Sequence, residues 1–225
     1  MWIRFWLSQL LQVVLIASIL FAGAGTLRWS VGWFYVAALV GLKLPFAVAL
    51  ARRDPELAKE RLRFPVHAGQ PVWDRAYIAI LCALLVIGLF TMGADAERYH
   101  WSVVPSWLRW IGVIGTIAPL VIWDWVFRAN TFASTAVRVQ AERAHRVIST
   151  GPYAFVRHPM YSATILLFPS SALFLGSAYG LIVALALSIL IVTRTVLEER
   201  ELMQNLVGYS AYARRVRHKL FPFVW

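Results

Sequence analysis

This sequence has few acidic residues, a single cysteine and no recognisable nucleotide-binding loop. Asp and Glu number 11 in 225 residues, and Cys82 has no second cysteine to pair with, so no disulfide can form within the chain. No Gly-x-Gly-x-x-Gly follows a strand pattern, which leaves a Rossmann domain without support. His67, His100 and His218 lack the spacing of metal ligands, and we therefore predict no metal site.

Apolar side chains dominate instead, at 60% of the residues, which is more than a soluble domain of this length carries. They form six runs, each about long enough to cross the roughly 30 Å hydrocarbon core of a bilayer as a helix. The first run is too long for a signal peptide and is predicted to be a retained span. We expect an all-α, polytopic integral membrane protein with about six transmembrane helices, the last two forming a C-terminal hairpin. The runs lie near residues 7–27, 31–50, 75–93, 107–127, 161–177 and 179–197.

The basic residues indicate membrane topology rather than nucleic-acid binding. Most of the 22 Lys and Arg lie between the second and third runs, between the fourth and fifth, and after the sixth. By the positive-inside rule these segments and both termini are cytoplasmic, and an even number of spans agrees with that. We expect a multi-pass protein, of the inner membrane if the chain is bacterial, with membrane lipids as partners and no nucleic acid.

The loop of residues 51–74 contains a short predicted helix. Asp54 is a suitable N-cap and Pro55 a suitable first helical residue, and the helix is expected to lie at the cytoplasmic surface. No repeat or Gly/Ser-rich linker interrupts the chain, so we expect one membrane domain.

Two charged residues, Asp124 and Lys43, fall inside predicted spans. A charge within the bilayer is a functional candidate by default. Pairing of the two with each other, or extension of the Lys43 side chain towards the interface, is the alternative that needs no ligand.

The predicted hairpin brings two polar clusters to one level of the membrane. "VRHPMY" precedes the fifth run with Arg157, His158 and Tyr161, and "RTVLEEREL" follows the sixth with Arg194 and the pair Glu198 and Glu199. Taken singly, the first is an interfacial segment with a proline opening a helix, and the second is a solvated helix face. Together they indicate a site for a polar, zwitterionic ligand whose reaction partner comes from the lipid.

These motifs resemble those of the isoprenylcysteine carboxyl methyltransferase family, which shares its core with phospholipid N-methyltransferases. The resemblance covers residues 107–225, with residues 1–106 as N-terminal transmembrane helices and a candidate substrate-specific part. Ala163 stands where the family usually has glycine, and "NLVG" replaces its usual Phe-Gly. "HRVISTGPYAFVRHPMYSA" matches the family pattern at His145, Gly151, Tyr153, Arg157, His158, Pro159 and Tyr161, and "EEREL" matches at Glu198, Glu199 and Leu202.

The resemblance implies methyl transfer from S-adenosyl-L-methionine in a cytoplasmic pocket. Its acceptor is a lipophilic small molecule or a lipidated substrate. Glu199 is the preferred partner of the cofactor ammonium group. The implied cofactor-binding residues are His145, Gly151, Tyr153, His158, Pro159, Tyr161, Glu198, Glu199 and Leu202, and the implied catalytic residues are Arg194, Arg157 and Glu198.

The nature of the acceptor decides what chemistry the side chains must supply. A carboxylate needs no general base, and Arg194 or Arg157 would hold it by a forked pair of hydrogen bonds. An amine needs a base, and His158 or a glutamate would serve. Carboxyl O-methylation is the preferred alternative, and N- or S-methylation stays open.

Two other classes of protein are alternatives. Sterol and steroid reductases that use NADPH carry a similar Arg-His-Pro-x-Tyr signature, but their tyrosine is typically followed by Gly-Glu, and Tyr161 is followed by Ser-Ala-Thr. A transporter would distribute its charges through the spans, whereas here they gather at one edge.

Overall fold

The computed structural model describes residues 2–62, 72–133, 143 and 145–225, and within them every regular element is helical. A π-helical segment, Ala94–Tyr99, extends α4, and a 3-10 turn, Gly151–Ala154, precedes α6. The α-helices are α1 (Trp2–Ala24), α2 (Ser30–Arg53), α3 (Pro55–Arg61), α4 (Val72–Gly93), α5 (Ser106–Ala129), α6 (Pro159–Leu175), α7 (Ala178–Asn205) and α8 (Tyr209–Arg215).

The predicted all-α membrane architecture is confirmed. Five helices of the described chain are long and apolar enough to cross a membrane, namely α1, α2, α4 with its π-helical extension, α5 and α7. The fifth predicted span, α6, is apolar but has only 17 residues, slightly fewer than the roughly 20 that usually cross the bilayer. The main difference lies in α7, which continues to Asn205 rather than ending near residue 197. Its added turns consist largely of Glu, Leu, Met and Gln, which favour helix.

The turn between α6 and α7 lies where the apolar pattern predicted it. Gly176 ends α6 in the left-handed conformation, with φ 86°, which glycine adopts without steric cost. Ser177 then caps α7 by accepting a hydrogen bond from the backbone N–H of Gly180. The predicted helix after Asp54 is also confirmed, because the Asp54 side chain accepts from the N–H of Leu57 at 2.9 Å.

Small residues let the long helices approach closely, as is common in membrane bundles. An added Cβ on Gly23 of α1 would lie 2.1 Å from the carbonyl oxygen of Phe90 on α4. A Cβ on Gly112 of α5 would lie 2.3 Å from the backbone nitrogen of Phe174 on α6. The α1 and α4 helices therefore pack closely, as do α5 and α6, and α7 packs against α6. The candidate site lies at the end of the bundle where α6 begins and α7 ends.

The suggested pairing of Asp124 with Lys43 is wrong. Asp124 pairs with Arg128 one helical turn away, with 2.5 Å between Oδ2 and Nε, and Lys43 donates a hydrogen bond to Gln12 of α1. Residues four apart on a helix share a face, so the local partner of Asp124 was the simpler choice.

Candidate active site

A cavity of about 830 Å³, counting its open mouth, lies where the start of α6, the end of α7, α8 and the segment after α5 meet. Gly151, Arg194 and Glu199 do not line it. The predicted site residues that do are His145, Tyr153, Arg157, His158, Pro159, Tyr161, Glu198 and Leu202.

The structure confirms that the two polar clusters meet. The Tyr161 hydroxyl, near the start of α6, donates a hydrogen bond to Glu198, near the end of α7. The His158 ring stacks beside that of Tyr161, with centroids 5.8 Å apart and planes 8° from parallel. The cavity wall thus contains a carboxylate whose position is fixed by a tyrosine.

His158 is a neutral imidazole in this wall. Burial lowers its pKa to about 3, and the nearby positive charges of Arg157 and Lys219 act in the same direction. Its Nε2 lies 3.5 Å from the Tyr209 hydroxyl. At neutral pH His158 can therefore exchange hydrogen bonds with a ligand, but it adds no positive charge.

Another part of the wall is flat and aromatic. The Phe132 and His145 rings stack with centroids 4.5 Å apart. Asn130 donates to the Tyr153 hydroxyl at 2.8 Å, and the backbone carbonyl of Tyr153 accepts from Tyr212 at 2.8 Å. Burial raises the pKa of Tyr153, so its hydroxyl keeps its proton. This region suits a planar heterocycle with polar edges.

Gly151 supports the wall from behind. It begins the 3-10 turn that holds Tyr153, with a positive φ of 60°. An added Cβ would lie 3.0 Å from the Cβ of Ala129 on α5, so glycine allows the turn to pack against that helix.

Arg157 binds the C-terminal tail, residues 213–220, to the bundle. Its Nη1 donates to the carbonyls of Val216 at 2.6 Å and Arg217 at 2.8 Å, while its Nη2 lies 2.5 Å from Oε1 of Glu199. Lys219 of the tail approaches the other Glu199 oxygen at 3.2 Å. The buried Arg157 and the half-buried Lys219 therefore both face Glu199. The role of Glu199 as ammonium partner stays a prediction, as does acceptor binding by Arg157.

Arg194 lies deeper in the bundle than the cavity. Its Nη2 is 3.2 Å from Oδ1 of Asp74 on α4, and its Cζ is 4.3 Å from the centre of the Tyr77 ring. The two residues of α4 come from the half of the chain in which the sequence showed no motif. A direct role of Arg194 in acceptor binding stays a prediction.

Several wall residues were not singled out from the sequence. Asn130, Phe132 and Arg146 line the cavity. The first two follow the end of α5 directly, so the first polar and aromatic residues after that span were a usable signal. No group of three or more His, Cys, Asp or Glu that would suit a metal occurs in the described part of the chain, which omits His67. The absence of a metal stays a prediction.

Residues 107–210 match the family model described as phospholipid methyltransferase. No curated protein sequence matches the chain. The matched segment contains α5, α6, α7 and most of the cavity wall, including Tyr161 and Glu198. The reductase and transporter alternatives gain no such support. Residues 107–210 of this polytopic membrane chain are therefore similar to the phospholipid methyltransferase family, the family of membrane methyltransferases that also includes the isoprenylcysteine carboxyl methyltransferases.

Proposed function

We propose that this protein transfers the methyl group of S-adenosylmethionine to a lipophilic acceptor that reaches the cavity from the membrane. The observation that carries the proposal is the Tyr161–Glu198 pair, a fixed carboxylate in the wall of a partly aromatic cavity inside the family-matched segment. When bound, S-adenosylmethionine supplies an electrophilic methyl group on a sulfonium.

The wall residues fit the polar groups of this cofactor. Glu198 would hold the ammonium group, because it faces the cavity, whereas Glu199 faces Arg157 and Lys219. The exposed Arg146 at the cavity would hold the carboxylate. Phe132 and His145 offer a surface for the adenine, and Asn130 and Tyr153 offer hydrogen bonds at its edge or at the ribose. Glu198 rather than Glu199 is thus our proposed ammonium partner.

The protein side of the reaction is mainly positioning and exclusion of water. Methyl transfer from a sulfonium requires alignment of donor and acceptor more than proton chemistry. Tyr161 fixes Glu198, and neutral His158 packs beside Tyr161, so this side of the cavity is ordered before a ligand binds. A pKa of about 3 makes His158 a weak base. Any proton that the acceptor must lose would pass to a carboxylate or to water.

A lipophilic acceptor is supported by the apolar part of the lining. Met160, Leu202 and Leu206 face the cavity at the end of the bundle, beside the polar groups. An acceptor lying in the membrane would place its chain against these side chains and its reactive group at the depth of the lipid headgroups.

We propose that the cavity opens on the cytoplasmic side. Arg52, Arg53 and Arg128 lie in the last turns of α2 and α5, at the same end of the bundle as the cavity. The positive-inside rule assigns such an end to the cytoplasm. A topology reporter fused after Trp225 should be active in the cytoplasm, and activity only on the opposite side would overturn this orientation.

Calorimetric titration of the purified protein in detergent tests the proposed cofactor. S-adenosylhomocysteine should bind and NADPH should not. Binding of NADPH without binding of S-adenosylhomocysteine would instead support the reductase alternative.

A further inference from the structure

An ion pair between α4 and α7 joins the two halves of the chain directly behind the cavity. Arg194 of α7 pairs with Asp74 of α4, and their side chains are 7% and 0% exposed. Asp74 lies outside the segment that matches the methyltransferase family. The N-terminal half thus contributes a charged group next to the candidate site.

Arg194 is close enough to the reaction site for its charge to matter. It lies four residues before Glu198 on α7, so the two side chains share a helix face. Its Cζ lies 5.9 Å from the centre of the Tyr161 ring, whose hydroxyl donates to Glu198. A group that entered beyond the Tyr161–Glu198 pair would therefore meet Arg194.

Among the described residues, the other buried arginine at the cavity is Arg157, and it is engaged with Glu199. One guanidinium nitrogen of Arg157 pairs with the Glu199 carboxylate, and another donates hydrogen bonds to carbonyls of the tail. Lys219 lies near the second carboxylate oxygen of Glu199. Among the buried arginines of the described site, Arg194 is therefore the one through which an acceptor carboxylate would be bound.

We infer that Asp74 determines acceptor specificity by withholding Arg194 from carboxylates. The inference rests on the proposed methyl transfer and concerns the acceptor side of the same site. A carboxylate entering here would share one guanidinium with Asp74 and lie near Glu198, which places three anions around a single arginine in a region of low dielectric. Displacing Asp74 instead would leave a fully buried carboxylate without its arginine, which is strongly unfavourable.

The consequence is a preference for acceptors with an uncharged reactive group, a neutral amine or a thiol. Such a group can approach the wall without displacing Asp74 from Arg194. The sequence favoured a carboxylate acceptor, which needs an arginine that is available to bind it. The structure instead pairs Arg194 with Asp74 of α4, a helix distant in sequence. Asp74 thus acts through Arg194, as a positioning residue rather than a catalytic one.

The test compares two amphiphiles with the same chain and different headgroups, dodecanoate and dodecanol. Calorimetry measures their binding to detergent-solubilised protein saturated with S-adenosylhomocysteine, at a pH where the acid is ionised. The wild type should bind dodecanoate no more tightly than dodecanol. Asp74→Asn should bind dodecanoate about tenfold more tightly than the wild type, the value of one charge-assisted hydrogen bond. Adding Arg194→Gln to that variant should abolish the gain.

Asp95→Asn is the matched control. Asp95 is equally buried, but it lies at the opposite end of the bundle, where it accepts hydrogen bonds from Ser102 and Ser177. This variant should bind dodecanoate as the wild type does, so that a general loosening of the bundle is distinguished from release of Arg194.

Two results would overturn the inference. One is a tenfold preference of the wild type for dodecanoate over dodecanol, which needs no variant and so decides the question even if Asp74→Asn does not fold. The other is unchanged dodecanoate affinity in an Asp74→Asn protein that still binds S-adenosylhomocysteine. Failure of the wild type to bind S-adenosylhomocysteine would instead count against the proposed function itself.

Discussion

Arg157 and Glu199 form a buried ion pair, with 2.5 Å between Nη2 and Oε1, and this pair connects the start of α6 to the end of α7. The same guanidinium donates to the carbonyls of Val216 and Arg217 in the tail. The backbone strengthens the connection, because the N–H groups of Arg157 and His158 donate to carbonyls of the tail at 3.0 Å and 2.9 Å. The Arg-His-Pro motif therefore has a structural role beside any role in ligand binding.

Arg157→Gln should destabilise the protein by about 3–5 kcal/mol, because it leaves a buried carboxylate without its arginine and tail carbonyls without a donor. Thermal unfolding in detergent, followed by tryptophan fluorescence, measures the change. Arg214→Gln is the control, since Arg214 is exposed on α8 and its replacement should cost less than about 0.5 kcal/mol. Equal stability of the two variants would contradict the structural role of Arg157.

Glu198→Gln and Glu199→Gln should have different effects although the residues are adjacent. Glu198 faces the cavity, so its variant should bind S-adenosylhomocysteine at least about tenfold more weakly, a loss of about 1.4 kcal/mol. Glu199 faces Arg157 and Lys219, so its variant should mainly lose thermal stability. Calorimetry and thermal unfolding of both proteins separate the two effects. Weakened cofactor binding in Glu199→Gln alone would restore the original assignment.

His158 should make the protein sensitive to mild acid. Its pKa falls from 6.5 in the unfolded chain to about 3 in the fold, so the unfolded state binds the proton first as the pH decreases. The free energy of unfolding therefore has its full value, as far as His158 is concerned, above about pH 6.5. It decreases from there towards pH 3, by up to about 1.4 kcal/mol per pH unit. His158→Gln should flatten the dependence of the unfolding temperature on pH in this window. An identical pH profile in the variant would show that His158 is not buried as a neutral ring.

Gly112→Ala should destabilise the contact between α5 and α6. The added Cβ would lie 2.3 Å from the backbone nitrogen of Phe174, a distance that requires the helices to separate. Overpacking of this kind costs typically about 1–3 kcal/mol. Gly41→Ala is the matched control, because a Cβ at Gly41 meets nothing within 4 Å. A thermal unfolding comparison would contradict the packing if Gly112→Ala were as stable as Gly41→Ala.

The spans could be predicted because the hydrocarbon core sets their length and composition. The end of α7 could not be predicted from apolar residues alone, because the last turns of this helix are amphipathic. If the helical periodicity is continued to residue 199, Glu198 lies on the same face as Arg194, and Glu199 is rotated by about 100° from Glu198 around the helix axis. The different surroundings of the two glutamates were therefore present in the pattern.

The partners of Arg157 and Arg194 could not be predicted in the same way. Asp74 is separated from Arg194 by about half of the chain, and nothing local to α4 indicates its partner. The tail groups that bind Arg157 are backbone carbonyls, which every residue type has, so the sequence does not indicate them. Such contacts depend on tertiary packing, which motif spacing does not encode.

Transfer of a tritium-labelled methyl group from S-adenosylmethionine into lipid tests the proposed methyltransferase activity most directly. Membranes that contain the wild-type protein are incubated with the labelled cofactor and extracted with organic solvent, and membranes with Glu198→Gln serve as the comparison. We expect label in the organic phase that depends on the wild-type protein and falls at least about tenfold in the variant. Absence of label from the organic phase with folded wild-type protein, or equal labelling by the variant, would contradict the proposed methyl transfer to a lipophilic acceptor.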